Sequence, residues 1–326
     1  MRIHVQNPGD DPLFHISPET WHAAVARAGE IGQGHEVSFA ADAAAFAAAM
    51  AEAEALVGDK DAVRALMPRP SPKLRVMFLT SAGLDNLAPF DWLPPGTMLL
   101  NNRGTHATKA GEFGIMALLM LASRLPRIMT NQRAGRWQKL WGSALAGRRA
   151  TVIGLGTLGG AVAAQAARFG MHVTGVRTRA GVHPACAEVV AVADLDHALA
   201  ETEFLVLACP LTPATRGLLD RRRLGLLPAG AGLVNMGRGL LADQDAICDA
   251  LESGALSGAV LDVFAQEPIP PGHRLWTTPN LIITPHTGTD DPNTYNPRSL
   301  DIFFENLRAL RDGREPPNRF DTTRGY

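Results

Sequence analysis

Cysteine is scarce in this chain. Cys186, Cys209 and Cys248 are its only three, an odd and scattered set. They show neither the spacing of metal ligands nor that of a disulfide framework, which predicts structural thiols in a reducing cytoplasm and no metal. Charge of one sign is also lacking: 31 basic against 32 acidic side chains leave a formal net charge of −1. Without a basic field, neither nucleic acid nor an anionic membrane is expected as a partner. No apolar run approaches the length of a membrane span. The opening MRIHVQNPGDD passes straight into a strand-like segment, without the charged start, apolar stretch and cleavage site of a secretory signal. Internal repeats and low-complexity linkers are missing too. With 46% hydrophobic and 19% charged residues, disorder is excluded, and 326 residues suffice for two domains with separate cores.

What is present is an alternation of short apolar runs with helix-like segments, the pattern of a doubly wound α/β protein. Strands are predicted at 3–5, 55–57, 76–78 and 98–100, then at 151–153, 172–176, 204–208, 232–235, 258–261 and 281–284. An Ala-rich helix is expected over 42–54 and another over 244–253, the latter ended by Gly254. Proline and glycine make turns of 69–73 and 93–96. A long apolar segment, 105–124, places Phe113, Met116, Leu119 and Met120 on helical spacing, suited to a core or a partner subunit. Near the end, Leu300, Phe303, Phe304, Leu307 and Leu310 repeat at helical spacing. Asn296 is the expected N-cap, Pro297 the first helical residue and Gly313 the stop. The predicted organisation is a substrate domain, 1–101 with 291–326, interrupted by a dinucleotide-binding domain at 102–290.

The most specific motif lies at the end of the 151–153 strand. Gly154-Leu155-Gly156-Thr157-Leu158-Gly159 has the G-x-G-x-x-G spacing, and an Ala-rich helical segment follows. That strand–turn–helix context points to dinucleotide binding. Gly154 allows the tight turn, Gly156 admits the pyrophosphate, and Gly159 lets helix and strand pack closely. An NAD site usually carries an acid at the end of the second strand, to hold the ribose 2′-hydroxyl. Here Arg177 stands at that position, 18 residues beyond Gly159, followed by Thr178 and Arg179. A guanidinium pairs with a 2′-phosphate that a carboxylate would repel, so NADP(H) is favoured over NAD(H). An arginine here can also lie over the adenine of NAD, or be an exposed basic loop.

Three further segments end predicted strands: 234–239 with Arg238, 261–268 with Glu267, and 284–288 with His286. Carboxyl ends of strands face the ligand crevice of an open α/β sheet. Arg238 suits the carboxylate of a 2-oxo acid, His286 suits proton donation to its carbonyl oxygen, and Glu267 suits orientation of the imidazole. Singly, each has a plain structural explanation; together and behind a dinucleotide loop they specify a reaction.

The chain resembles the D-isomer-specific 2-hydroxyacid dehydrogenases over nearly its whole length. The matching pieces are 81–86, 154–159, 209–215, 235–239, 262–268 and 284–286. The resemblance implies two doubly wound domains, a Rossmann domain inserted into a discontinuous flavodoxin-like one, and Arg238, Glu267 and His286 as the catalytic set. It further implies that Ala82 and Gly83 offer backbone N–H groups to the substrate carboxylate. Asp262 would contact the nicotinamide amide, and Cys209, Pro210 and Thr215 would lie along the adenosine, with Met236 and Gly237 also at the cofactor. Members are typically homodimers in which the helix after residue 105 embraces the partner. Trp137 and Trp141 fall in that arm, with buried packing expected for at least one. The family's usual acid after the second strand is absent, as in its NADPH-dependent glyoxylate and hydroxypyruvate reductases. Its formate dehydrogenases carry Gln where Glu267 stands, which counts against that activity. The remaining alternatives are an NAD-dependent relative acting on another acid, and a non-catalytic nucleotide-sensing protein.

Overall fold

The computed structural model describes residues 1–9 and 14–323. Along it run β1 (Arg2–Gln6), α1 (Pro18–Ala28), β2 (Glu36–Ala40), α2 (Ala43–Met50), β3 (Ala55–Gly58), α3 (Lys60–Leu66), β4 (Val76–Leu79) and β5 (Met98–Leu100). Then come α4 (Ala107–Ala122), α5 (Leu125–Arg133), β6 (Arg149–Ile153), α6 (Thr157–Arg168), β7 (His172–Arg177), β8 (Glu188–Ala191), α7 (Leu195–Ala200) and β9 (Phe204–Leu207). The chain continues through α8 (Arg221–Leu224), β10 (Ala231–Asn235), α9 (Gln244–Ser253), β11 (Leu256–Leu261) and β12 (Leu281–Ile283) to α10 (Tyr295–Arg311). Two compact units result, Met1–Thr105 with Asp291–Tyr326, and His106–Asp290.

The first unit holds a parallel sheet of order β2-β1-β3-β4-β5, the flavodoxin-like arrangement. β3 and β4 are buried at every position, as expected of parallel strands covered on both faces. Ser17, Asp42 and Asp59 cap α1, α2 and α3 by accepting from first-turn N–H groups. On one side the core is aromatic: Trp21 meets Phe304 at 5.3 Å and Phe78 meets Phe303 at 5.6 Å between centroids. The last helix therefore completes this unit.

α10 begins earlier than Asn296 predicts. Its N-cap is Thr294, which makes no side-chain capping bond, and Pro297 is the third helical residue. The Asn296 amide is used elsewhere, donating to the His15 carbonyl at 3.1 Å. Pro297 still fits, because first-turn N–H groups have no partner within the helix.

The second unit is a parallel sheet of order β12-β11-β10-β9-β6-β7-β8. Its connections reverse direction between β6 and β9, so the ligand crevice of a doubly wound sheet lies at the carboxyl ends there. Helices α4 and α6 cross closely. A Cβ on Gly114 would come within 2.4 Å of the Val162 side chain, and one on Gly111 within 3.3 Å of the Ala161 carbonyl. The 105–124 segment splits into two faces: Phe113, Ala117, Leu118 and Leu121 are buried, whereas Met116 and Leu119 are exposed. Trp137 and Trp141 are 94% and 84% exposed, so neither takes the buried role expected for at least one. Among the described residues, no single helix is long and apolar enough to cross a membrane.

Candidate active site

The glycine loop follows β6 as the sequence spacing requires. Gly154 has φ +93°, in the left-handed region, and a Cβ there would lie 2.6 Å from the Cys209 backbone. A Cβ on Gly159 would come within 1.8 Å of the Gly154 carbonyl oxygen, so only glycine permits this turn. Around Gly156, by contrast, a Cβ would meet nothing within 4 Å. Gly156 is also the N-cap of α6, with no side-chain capping bond. Open space beside an uncapped helix start fits a dinucleotide pyrophosphate, which N–H groups and the helix dipole attract.

Other residues expected at the cofactor lie at the ends of β7, β9 and β10 or in the segments that follow them. Gly154 N–H bonds to the Val176 carbonyl at 2.9 Å, which sets the end of β7 beside it. Arg177 follows Val176, and Arg177, Thr178 and Arg179 are all exposed. The buried Cys209 follows the neighbouring strand β9, and burial pushes its thiol up to about 11, leaving it protonated. Thr215 holds its own turn, its hydroxyl donating to the Pro210 carbonyl and accepting from Thr212 N–H, both at 2.7 Å. Met236 is buried, and a Cβ on Gly237 would sit 3.0 Å from the Cys209 carbonyl.

Arg238, Glu267 and His286 follow β10, β11 and β12 respectively. His286 Nδ1 lies 2.7 Å from Glu267 Oε2. The other carboxylate oxygen of Glu267 accepts from Phe264 N–H at 2.8 Å, so the acid is itself held in place. With a carboxylate on Nδ1, that nitrogen carries the proton and Nε2 is the ring atom left for a reactant. Arg238 is half-buried in extended backbone and donates to the Gly237 carbonyl at 2.8 Å. Asn235 shapes that turn, bonding to Gly237 N–H and the Arg238 carbonyl. Gly239 presses on the β11 loop; a Cβ there would be 1.9 Å from the Phe264 backbone. The arginine and glutamate segments are thus locked together.

His286 has φ +56°, a conformation costing about 1–2 kcal/mol for an L-residue. Asp262 holds it there. One oxygen of this buried carboxyl accepts from Thr287 N–H at 3.2 Å, Gly288 N–H at 3.0 Å and the Thr284 hydroxyl at 2.6 Å. Hydrogen bonds to a charged group contribute about 1.5–3 kcal/mol each, so two of them outweigh the strain. Burial raises the Asp262 carboxyl above its usual range, while those donors and His286 oppose the shift. A Cβ on Gly288 would strike the Phe113 ring at 2.5 Å, so the loop lies flat on α4. His106, just before α4, completes the anchorage, its Nδ1 3.2 Å from the Thr289 carbonyl and 3.3 Å from Asp290. Sequence reasoning missed His106 and the supporting work of Asp262, because their partners are brought close only by folding.

Ala82 and Gly83 belong to the first unit, in the loop after β4. Ala82 is half-buried, and its carbonyl accepts from the Asn101 amide at 2.9 Å. Among the described residues, no group of three or more His, Cys, Asp or Glu could hold a metal ion.

A seven-stranded doubly wound sheet with this loop and these three side chains defines a nicotinamide-dependent oxidoreductase. The family model for the NAD binding domain of D-isomer specific 2-hydroxyacid dehydrogenases matches residues 115–288. A glyoxylate reductase of Korarchaeum cryptofilum is 32% identical over 279 residues, covering 80% of this chain and 83% of that one. A D-3-phosphoglycerate dehydrogenase of Mycobacterium leprae is 30% identical over 85% of this chain, which spans only 53% of that protein. The crystal structure of an NADPH-dependent glyoxylate/hydroxypyruvate reductase from Sinorhizobium meliloti, in complex with NADP and sulfate, superimposes with a TM-score of 0.79. It is 26% identical and covers 100% of this chain and 99% of its own. The chain belongs to the D-isomer specific 2-hydroxyacid dehydrogenase family. It is an NAD(P)-dependent oxidoreductase.

Proposed function

We propose that this protein is an NADPH-preferring reductase of small 2-oxo acids of the glyoxylate and hydroxypyruvate kind, yielding the D-2-hydroxy acid where the product is chiral. The observation that carries the chemistry is the 2.7 Å contact between His286 and Glu267, at the carboxyl edge that also bears the glycine loop. The Arg238 fork binds the substrate carboxylate and draws electron density from the neighbouring carbonyl. Ala82 and Gly83 supply backbone N–H groups to the same carboxylate. His286 gives its Nε2 proton to the carbonyl oxygen as that oxygen gains charge, and Glu267 stabilises the imidazolium and fixes the ring. A reduced nicotinamide dinucleotide bound along Gly154–Gly159 supplies the hydride. Arg177, Thr178 and Arg179 would hold its 2′-phosphate, a reading supported by the arginine where an acid would mark NAD. The His106–Asp290 unit is the cofactor domain and the other unit the substrate domain. The exposed Met116, Leu119 and Ile128 with Trp137 and Trp141 support a homodimer built on α4. The scattered thiols support a cytoplasmic protein.

The test is a purified preparation mixed with NADPH or NADH and a panel of glyoxylate, hydroxypyruvate, pyruvate, phenylpyruvate and 3-phosphohydroxypyruvate. Oxidation of NADPH by glyoxylate and hydroxypyruvate is expected. NADH preference would overturn the Arg177 assignment, and inactivity with the whole panel would turn the reading toward a nucleotide-sensing protein.

A further inference from the structure

We propose that His106 is a positioning residue for His286: from the start of α4 its imidazole fastens the segment carrying His286 through Thr289 and Asp290. This rests on the reading of His286 as the proton donor. The observations are geometric. Residues 287–290 lie between two anchors, both within the same unit. On one side Asp262 takes the N–H groups of Thr287 and Gly288. On the other, His106 Nδ1 faces the Thr289 carbonyl at 3.2 Å and an Asp290 carboxylate oxygen at 3.3 Å. A carbonyl can only accept, so Nδ1 carries the proton and Thr289 fixes the tautomer. The side chain is only 13% exposed, so these bonds compete little with water. Asp262 binds the start of the segment, at Thr287 and Gly288, and His106 binds its end, at Thr289 and Asp290, beside a His286 whose backbone is held at positive φ.

The charged groups acting on His106 are Asp290, His286 and Arg238. Burial lowers its basicity, the cations His286 and Arg238 add to that, and Asp290 and the Thr289 carbonyl oppose it. A neutral His106 thus anchors the loop without adding a positive charge beside His286 and Arg238.

The experiment compares His106→Ala, His106→Gln and His106→Asn with wild type, in full-length protein. The Asn amide nitrogen reproduces the place of Nδ1, the Gln amide lies one bond too far out, and Ala removes the donor. Three quantities are measured: kcat for glyoxylate with NADPH, the NADPH dissociation constant by fluorescence, and the His286 ring ¹⁵N signals in histidine-labelled protein, assigned with His286→Ala. In Ala and Gln, kcat is expected to fall at least about tenfold. NADPH binding stays within about twofold of wild type, and the His286 signature of an Nδ1–H held by a carboxylate is weakened. Asn restores both kcat and signature. If Ala fails to fold, the contrast between Gln and Asn decides. Unchanged kcat and an unchanged His286 signature in Ala and Gln overturn the proposal, as does parallel loss of NADPH binding in every variant, which marks a general scaffold role. Should wild type reduce no 2-oxo acid, the proposed function fails. The ring signals still report whether His106 holds His286.

Discussion

His286 is placed by chemistry that its own side chain does not supply. Glu267 fixes its ring, Asp262 holds its backbone at positive φ, and the residue after next lies against Phe113. His286→Ala is therefore expected to lower kcat by about 10²–10⁴, the range for loss of a general acid. NADPH affinity should be unchanged, because the glycine loop is elsewhere on the sheet edge; loss of NADPH binding in a fluorescence titration would mark a structural histidine instead. A second residue-scale expectation concerns pH. His4 and His106 both have lowered basicity, chiefly through burial. Folding then favours the neutral ring, so below the unfolded-state value of about 6.5 the unfolded chain binds protons that the folded chain does not. Stability from these two residues is complete above that pH and declines as pH falls through it. Thermal melts should show Tm dropping between pH 7.5 and 5.5, and His4→Gln should flatten the slope. Asp196, held down at about 2 by Arg222 and Arg223, titrates far below this window.

At the scale of elements, the turn from β6 into α6 has the least tolerance. Gly159→Ala would drive a methyl into the Gly154 carbonyl, 1.8 Å away, and backbone cannot yield as a side-chain tip can. It is expected to raise the NADPH dissociation constant more than tenfold and to lower Tm by several degrees, read by fluorescence and calorimetry. This turn was legible in the sequence because its requirements are local: an apolar strand, three glycines and a small-residue helix. Two strands were not legible. β2 and β8 each lie at a sheet edge with one partner, and their mixed burial gives no continuous apolar run. The start of α10 escaped for another reason. Asn296 has the right chemistry for a cap but spends it on the distant His15 carbonyl.

On the scale of the whole molecule, the outer face of α4 and the arm beyond α5 expose apolar groups that a core would ordinarily take. Met116 and Leu119 lie on that face, and Trp137 and Trp141 stand in the arm. Under the homodimer proposal, Leu119→Glu should shift the mass seen by light scattering from a dimer toward 34.7 kDa while leaving the monomer folded by circular dichroism. A wild type that is monomeric at micromolar concentration would end that proposal.

By itself the sequence determined the doubly wound class, the dinucleotide loop and the side chains Arg238, Glu267 and His286, because each is written in neighbouring residues or at a strand end. Only the tertiary structure decided what holds those side chains. Thr289 is 183 positions from His106, and Asp262 reaches Gly288 across 26. Contacts of that span carry no local pattern; Asp262 meets Gly288 because β11 and β12 pair in parallel and end at one edge, and His106 meets Thr289 because α4 starts beside the segment that follows β12. The same holds for Trp137 and Trp141, whose exposure depends on what the rest of the chain leaves uncovered.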